Sequence, residues 1–185
     1  MTARQTRLPR QWLMTDERLE SRLWEAIDRL PDGQSGIVFR HYATPAEDRR
    51  TLARDIAAAC RSRAIALAIA RDCVLAAELG AALVHNPDGP SALPISMAVH
   101  DMADAARARD RGAALIFVSP VHATRSHPGR QPLGPTHAEE IARSAGVPAI
   151  ALGGMDEHAF AALSAGAFHG WAGIDAWLVR DGPGE

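Results

Sequence analysis

Leu115-Ile116-Phe117-Val118-Ser119-Pro120-Val121-His122-Ala123-Thr124-Arg125-Ser126-His127-Pro128-Gly129 is the stretch on which the fold turns. An apolar run breaks off into hydroxyls, imidazoles, a guanidinium and a Pro-Gly turn. A buried strand reads this way when its C-terminal end opens into a polar pocket. The pattern returns at 148–152, where an apolar run meets Gly153-Gly154 and then Asp156, a residue type suited to capping a helix. Two successive strand ends of this kind predict a site that holds an anion.

Similar short apolar runs occur along the whole chain. Strands are expected at 12–14, 36–39, 64–69, 82–85, 94–99, 114–118, 148–152 and 170–174. Helical periodicity separates most of them. Leu19, Leu23, Ile27 and Leu30 form one stripe. Thr44-Pro45-Ala46-Glu47 and Thr136-His137-Ala138-Glu139 both have the form of a capping box that opens a helix, with Pro45 at the first helical position of the former. Gly80, Gly112, Gly146 and Gly166 each close a helical segment just before a strand, where a left-handed residue ends the helix. The first three lie 32 and 34 residues apart, and one βα unit needs about 30. Eight alternating units predict an α/β fold: a compact (β/α)8 barrel with some helices short or missing. The segment 86–93 offers no helix between the fourth and fifth strands. An open doubly wound sheet is the competing arrangement. No linker or low-complexity segment interrupts the chain, so residues 1–185 read as one domain.

Bulk properties narrow the function. With 47% hydrophobic and 23% charged residues and a net charge of −2, the composition is that of a globular protein without a nucleic-acid-binding surface. No apolar run approaches 18 residues, so no membrane span is expected. The basic N-terminus lacks the apolar segment of a secretory signal. Cys60 and Cys73 read as reduced thiols, and a cytoplasmic location follows as an expectation. The chain is compatible with a homo-oligomer. All 20 basic residues are Arg, which removes Schiff-base chemistry on Lys.

In a barrel the strand C-termini carry the chemistry. Gly153 and Gly154 suit a phosphate held by backbone N–H groups, or simply a tight turn. Thr124, Arg125, Ser126 and His127 suit an anion, or a solvated loop. Asp72 and Asp88 can hold Mg2+ against a diphosphate; the competing roles are a helix N-cap for Asp72 and an exposed turn for Asp88. His85, His100, His122 and His127 gather near the same end, but no His-x-His or His-x-x-x-His spacing supports zinc. One of them titrating near neutrality would serve as an acid or base.

These motifs, in this order, resemble the thiamine-phosphate synthase/TenI superfamily over almost the whole chain. Trp12-Leu13-Met14-Thr15-Asp16 resembles the family's Leu-Ile-Thr-Asp strand, and Arg40 the Arg of its Arg-Glu-Lys. Arg71-Asp72 resembles its Asn-Asp, Ala82-Leu83-Val84-His85 its Asp-Gly-Val-His, and Val99-His100 the end of its Ser-x-His strand. Ser119-Pro120-Val121 resembles Gly-Pro-Ile, the segment 124–129 Thr-Lys-Thr-Lys-Pro-Gly, and Ala151-Leu152-Gly153-Gly154-Met155 Ala-Ile-Gly-Gly-Ile. The resemblance implies a (β/α)8 barrel that joins hydroxymethylpyrimidine diphosphate to a thiazole phosphate and releases diphosphate. Its partners are then small phosphorylated pyrimidine and thiazole substrates. It implies Arg40, Thr124, Ser126 and an Asp72–Asp88 Mg2+ site for the diphosphate, and Gly153, Gly154 and Gly173 for the thiazole phosphate.

The chain departs from that pattern at several of these positions. Tyr42 and His127 stand where the family has Lys, His41 where it has Glu, Arg71 where it has Asn, and Ala98 where it has Ser. Arg71, Arg125 and His127 are then the groups left to supply the missing positive charge. The superfamily's other branch, the thiazole tautomerase, needs neither diphosphate nor Mg2+; His122 is the candidate base for it. A non-catalytic homologue that binds phosphorylated ligands is the third expectation.

Overall fold

The computed structural model describes residues 8–124, 129 and 131–179. Eight parallel strands close into a barrel in chain order: β1 (Gln11–Thr15), β2 (Ser35–Phe39), β3 (Ala66–Ala70), β4 (Leu83–His85), β5 (Ile95–Val99), β6 (Leu115–Val118), β7 (Ala149–Leu152) and β8 (Gly170–Gly173). β8 closes onto β1 through Gln11 opposite Trp171 and Leu13 opposite Gly173. Every expected strand is present, displaced by at most two residues, and the closed barrel excludes the open sheet.

Inside, side chains of one parity fill the barrel: Trp12, Met14, Val38, Ala68, Leu83, Leu115, Phe117, Ile150 and Ala172. Trp12 meets Phe117 edge to face at 5.6 Å. Gly36 makes room for that indole, since a Cβ there would lie 2.4 Å from the Trp12 ring. Burying a ring such as Phe117 contributes roughly 1.5–3 kcal/mol. The opposite parity, with Leu13, Ile37, Ile69, Val84 and Ile116, packs under the helices.

The helices are α1 (Leu23–Asp28), α2 (Ala46–Ser62), α3 (Cys73–Leu79), α4 (Met102–Asp110), α5 (Pro135–Ala145) and α6 (Glu157–Ala161). None joins β4 to β5, and a 3-10 turn (Asp175–Trp177) follows β8. Gly80, Gly112, Gly146 and Gly166 take φ of 66°, 67°, 68° and 81°, as their position before each strand predicts.

Three local expectations are corrected. The Leu19–Leu30 stripe is buried but is not one helix: Glu20, at φ 42° and ψ −124°, kinks the 3-10 segment (Glu17–Arg22) that precedes α1, and Leu30 lies beyond the end of α1. Thr44 does not cap α2, and Pro45 precedes the helix rather than opening it. The Glu17 carboxylate captures the loop instead, accepting from the N–H of Ala43 (2.6 Å) and Thr44 (3.1 Å) and from the Thr44 hydroxyl (3.3 Å). Thr136 lies inside α5, because Pro135 already holds the first helical position after Gly134. Glu139 faces Ser164 N–H and Arg143 in place of a capping partner.

Candidate functional site

Strand parity decides what reaches the open end. Residues that continue the inward series past the apolar layers are Arg40, His85, His100 and Ser119, and all four line a cavity of about 560 Å³ at the strand C-termini. Met14, Phe117, Leu152 and Gly173, at the end of β8, also line it, and Arg71, Thr124, Gly153 and Gly154 are added from the loops. A groove of about 1060 Å³ at the other end, bounded by Arg10, Arg143 and His169, receives no strand C-terminus.

Gly153 and Gly154 follow β7 with φ of 98° and 62°. They press against the β6 loop: a Cβ on Gly153 would lie 2.8 Å from Pro120 Cα, and one on Gly154 2.8 Å from His122 Cβ and 2.9 Å from the Ala123 oxygen. The Gly153 carbonyl accepts the His122 N–H at 3.1 Å. No backbone carbonyl among the described residues accepts the N–H of Gly153 or Gly154, so both donors at this strand end remain available to a ligand. Asp156 caps α6 through Ala159 N–H at 2.8 Å, as its type predicts.

Arg40 is anchored at the end of β2. Its Nε donates to the Thr15 carbonyl at 2.9 Å and its Nη2 to Asp16 at 2.8 Å. Burial pulls the guanidinium below its ordinary value while Asp16 opposes that pull. The neighbouring His41, at φ 35°, stacks on Phe39 at 4.7 Å and meets the Thr15 hydroxyl at 3.1 Å. Burial lowers its pKa.

A hydrogen-bond chain fixes the cavity floor. Asn86 Oδ1 accepts the Ala98 N–H at 2.8 Å, which turns its NH2 toward His85 Nε2 at 3.4 Å. His85 Nε2 is therefore an acceptor, and Nδ1–H donates to the Ser96 hydroxyl at 3.1 Å. A proton on Nε2 would confront the Asn86 donors. Burial acts in the same direction and pushes the imidazole down to about 3. His100 is held differently: its Nδ1 lies 2.7 Å from the Ser119 carbonyl and must donate, so the neutral ring keeps its lone pair on Nε2.

Several expected residues are placed otherwise. His122 does not line the cavity; its main chain is taken up in pairing with Gly153. Arg125, Ser126 and His127 lie outside the described residues. Asp72 is the N-cap of α3, with Oδ1 accepting the Leu75 N–H at 2.9 Å and Oδ2 3.6 Å from Arg49 Nη1. Asp88 is exposed on the β4–β5 turn, and neither carboxylate lines the cavity. Among the described residues, no group of three His, Cys, Asp or Glu side chains is placed to hold a metal. Mg2+ demands an octahedral set of oxygens. One carboxylate already committed to a cap and a guanidinium, beside another in solvent, does not fit that demand.

Arg49 escaped the sequence reading. Its Nη2 donates to the Ala70 carbonyl at 3.0 Å and its Nε lies 3.4 Å from the Arg40 carbonyl, so it ties the ends of β2 and β3 together. In the sequence it sits in a charged run that reads as solvent-facing helix. Its position four residues after Pro45, in the first turn above the strand ends, was the available signal.

Known proteins share the barrel. "Putative thiamine-phosphate synthase 2" of Aquifex aeolicus (strain VF5) is 26% identical over 183 residues, covering 92% of this chain and 98% of that one. The solved structure of a thiamine phosphate pyrophosphorylase from Pyrococcus furiosus superposes with a TM-score of 0.72 at 19% identity, over 90% of this chain and 86% of that one. FabK from Thermotoga maritima shares the fold with a TM-score of 0.65 at 15% identity, over 90% of this chain and 58% of that one. No described helix is long and apolar enough to cross a membrane. The sequence model of thiamine monophosphate synthase matches residues 12–177, nearly the whole barrel, and the chain belongs to that family.

Proposed function

We propose that the cavity at the strand C-termini joins hydroxymethylpyrimidine diphosphate to a thiazole phosphate. The observation that carries this reading is the convergence of Arg40, Arg71 and the N–H groups of Gly153 and Gly154, which no backbone carbonyl among the described residues accepts, on one cavity of substrate size. The glycine end suits the thiazole phosphate. The guanidinium end suits the diphosphate, whose charge grows as its bond to the pyrimidine methylene carbon breaks. The thiazole nitrogen then forms the new bond to that carbon, and diphosphate departs. Met14, Phe117 and Leu152 give the rings an apolar wall. Stabilising the departing charge with fixed donors is electrostatic catalysis.

The test is chromatographic detection of thiamine phosphate together with release of diphosphate. Arg71→Gln is expected to lower kcat/KM at least tenfold. Absence of product across all Mg2+ levels sinks the reading.

One observation favours a second reading, the thiazole tautomerase. His100 lines the cavity with Nδ1 held on the Ser119 carbonyl, which leaves Nε2 to take a proton. Deuterium incorporation into thiazole carboxylate phosphate, lost in His100→Ala and kept in His122→Ala, would establish it.

A further inference from the structure

Arg71 stands at φ 68°, a backbone region that side chains other than Asn, Asp and His rarely take. The conformation is held from both sides: Arg71 N–H donates to the His85 carbonyl at 2.8 Å, and the Asp88 N–H lies 3.4 Å from the Arg71 carbonyl. The guanidinium rests over the Tyr42 ring, 4.5 Å from its centroid, and lines the cavity. No carboxylate among the described residues pairs with it. A strained, ring-supported cation without an acidic partner, aimed into a cavity, is a group kept for an anion.

Next to it, Asp72 is occupied twice. Its cap to Leu75 is worth about 0.5–2 kcal/mol, and Arg49 stands where a metal would approach its second oxygen. A divalent cation would have to displace Arg49 and sit beside Arg71.

We infer that Arg71 takes the place of a divalent metal in this cavity, so that the chain binds diphosphate without one, and that Asp72 is a helix cap rather than a metal ligand. The inference rests on the reading that the cavity accepts a diphosphorylated substrate.

Calorimetric titration of the EDTA-treated full chain with inorganic diphosphate tests it. Kd in EDTA is expected to stay within twofold of Kd in excess MgCl2. Arg71→Gln is expected to raise Kd at least tenfold. Asp72→Asn is expected to leave Kd within twofold, because Asn keeps the cap. Thermal melts verify that both variants fold. Binding that strengthens tenfold or more with Mg2+ and is lost in Asp72→Asn overturns the inference. A parallel titration with thiazole phosphate separates the two claims. If thiazole phosphate binds and diphosphate binds in neither buffer, the inference falls while the phosphate site stands. If neither ligand binds, both fall.

Discussion

The Arg71 guanidinium lies 4.5 Å above the centroid of the Tyr42 ring, at the mouth of the barrel. Tyr42 is 47% exposed, so this stack is worth about 0.5–1 kcal/mol. Its role is to hold a long side chain in one place before a ligand arrives. Tyr42→Ala is therefore expected to weaken binding of inorganic diphosphate by roughly two- to fivefold, and Tyr42→Phe to leave it unchanged. Calorimetry distinguishes the pair. Equal losses in both variants would mean that the hydroxyl, not the ring, matters.

Gly154 and Gly146 have nearly the same backbone, φ 62° and 68°. They differ in surroundings: a Cβ on Gly146 meets nothing within 4 Å, whereas one on Gly154 meets His122 and Ala123. Ala at either position bears the left-handed cost of about 1–2 kcal/mol. Gly154→Ala adds the steric cost of overpacking, typically about 1–3 kcal/mol more. Chemical denaturation should rank Gly154→Ala clearly below Gly146→Ala. Equal values would show that the β6 loop moves aside freely.

The sequence made the barrel legible because each strand is a short apolar run and each joint carries a glycine before it. It could not show which residues of a strand face inward. In Leu115–Val118 all four side chains are buried, two in the barrel and two under the helices, so the pattern has no alternation to read. Only closure of the sheet assigns Phe117 and Ser119 to the cavity side and His122 to the loop. Asp72 illustrates the same limit. Its residue type fits a metal ligand and a cap equally well, and the choice is made by Arg49, which arrives from 23 positions earlier through the packing of α2.

His85 gives the fold a defined acid sensitivity. Its pKa is near 3 in the folded chain and about 6.5 when unfolded, so the unfolded state binds the extra proton between those values. Its contribution is complete above about pH 6.5 and declines as pH falls toward 3, by up to about 1.4 kcal/mol per pH unit. His41, also lowered by burial, acts with the same sign. The urea midpoint should fall between about pH 7 and 5, a window in which carboxylates of ordinary pKa barely titrate. His85→Gln should flatten that slope. An unchanged slope would mean that folded His85 takes up its proton over the same window as the unfolded chain, so that burial does not lower its pKa.

Backbone strain at Arg71 predicts a separation of stability from binding. Arg71→Gln removes the guanidinium and keeps a side chain that disfavours φ 68°. Arg71→Asn removes the same charge but tolerates the left-handed backbone. Both variants lose the stack on Tyr42, so that loss cancels in the comparison. Both should lose affinity for diphosphate to a similar degree. The Asn variant should be the more stable of the two by about 0.5–1 kcal/mol, a difference of roughly 1–4 °C in Tm for a chain of this size. Wild-type Arg71 then sits at a position that trades stability for charge, as expected of a residue held for a ligand. Equal melting temperatures for the two variants would show that the φ of Arg71 carries no strain, and would remove that support for its role.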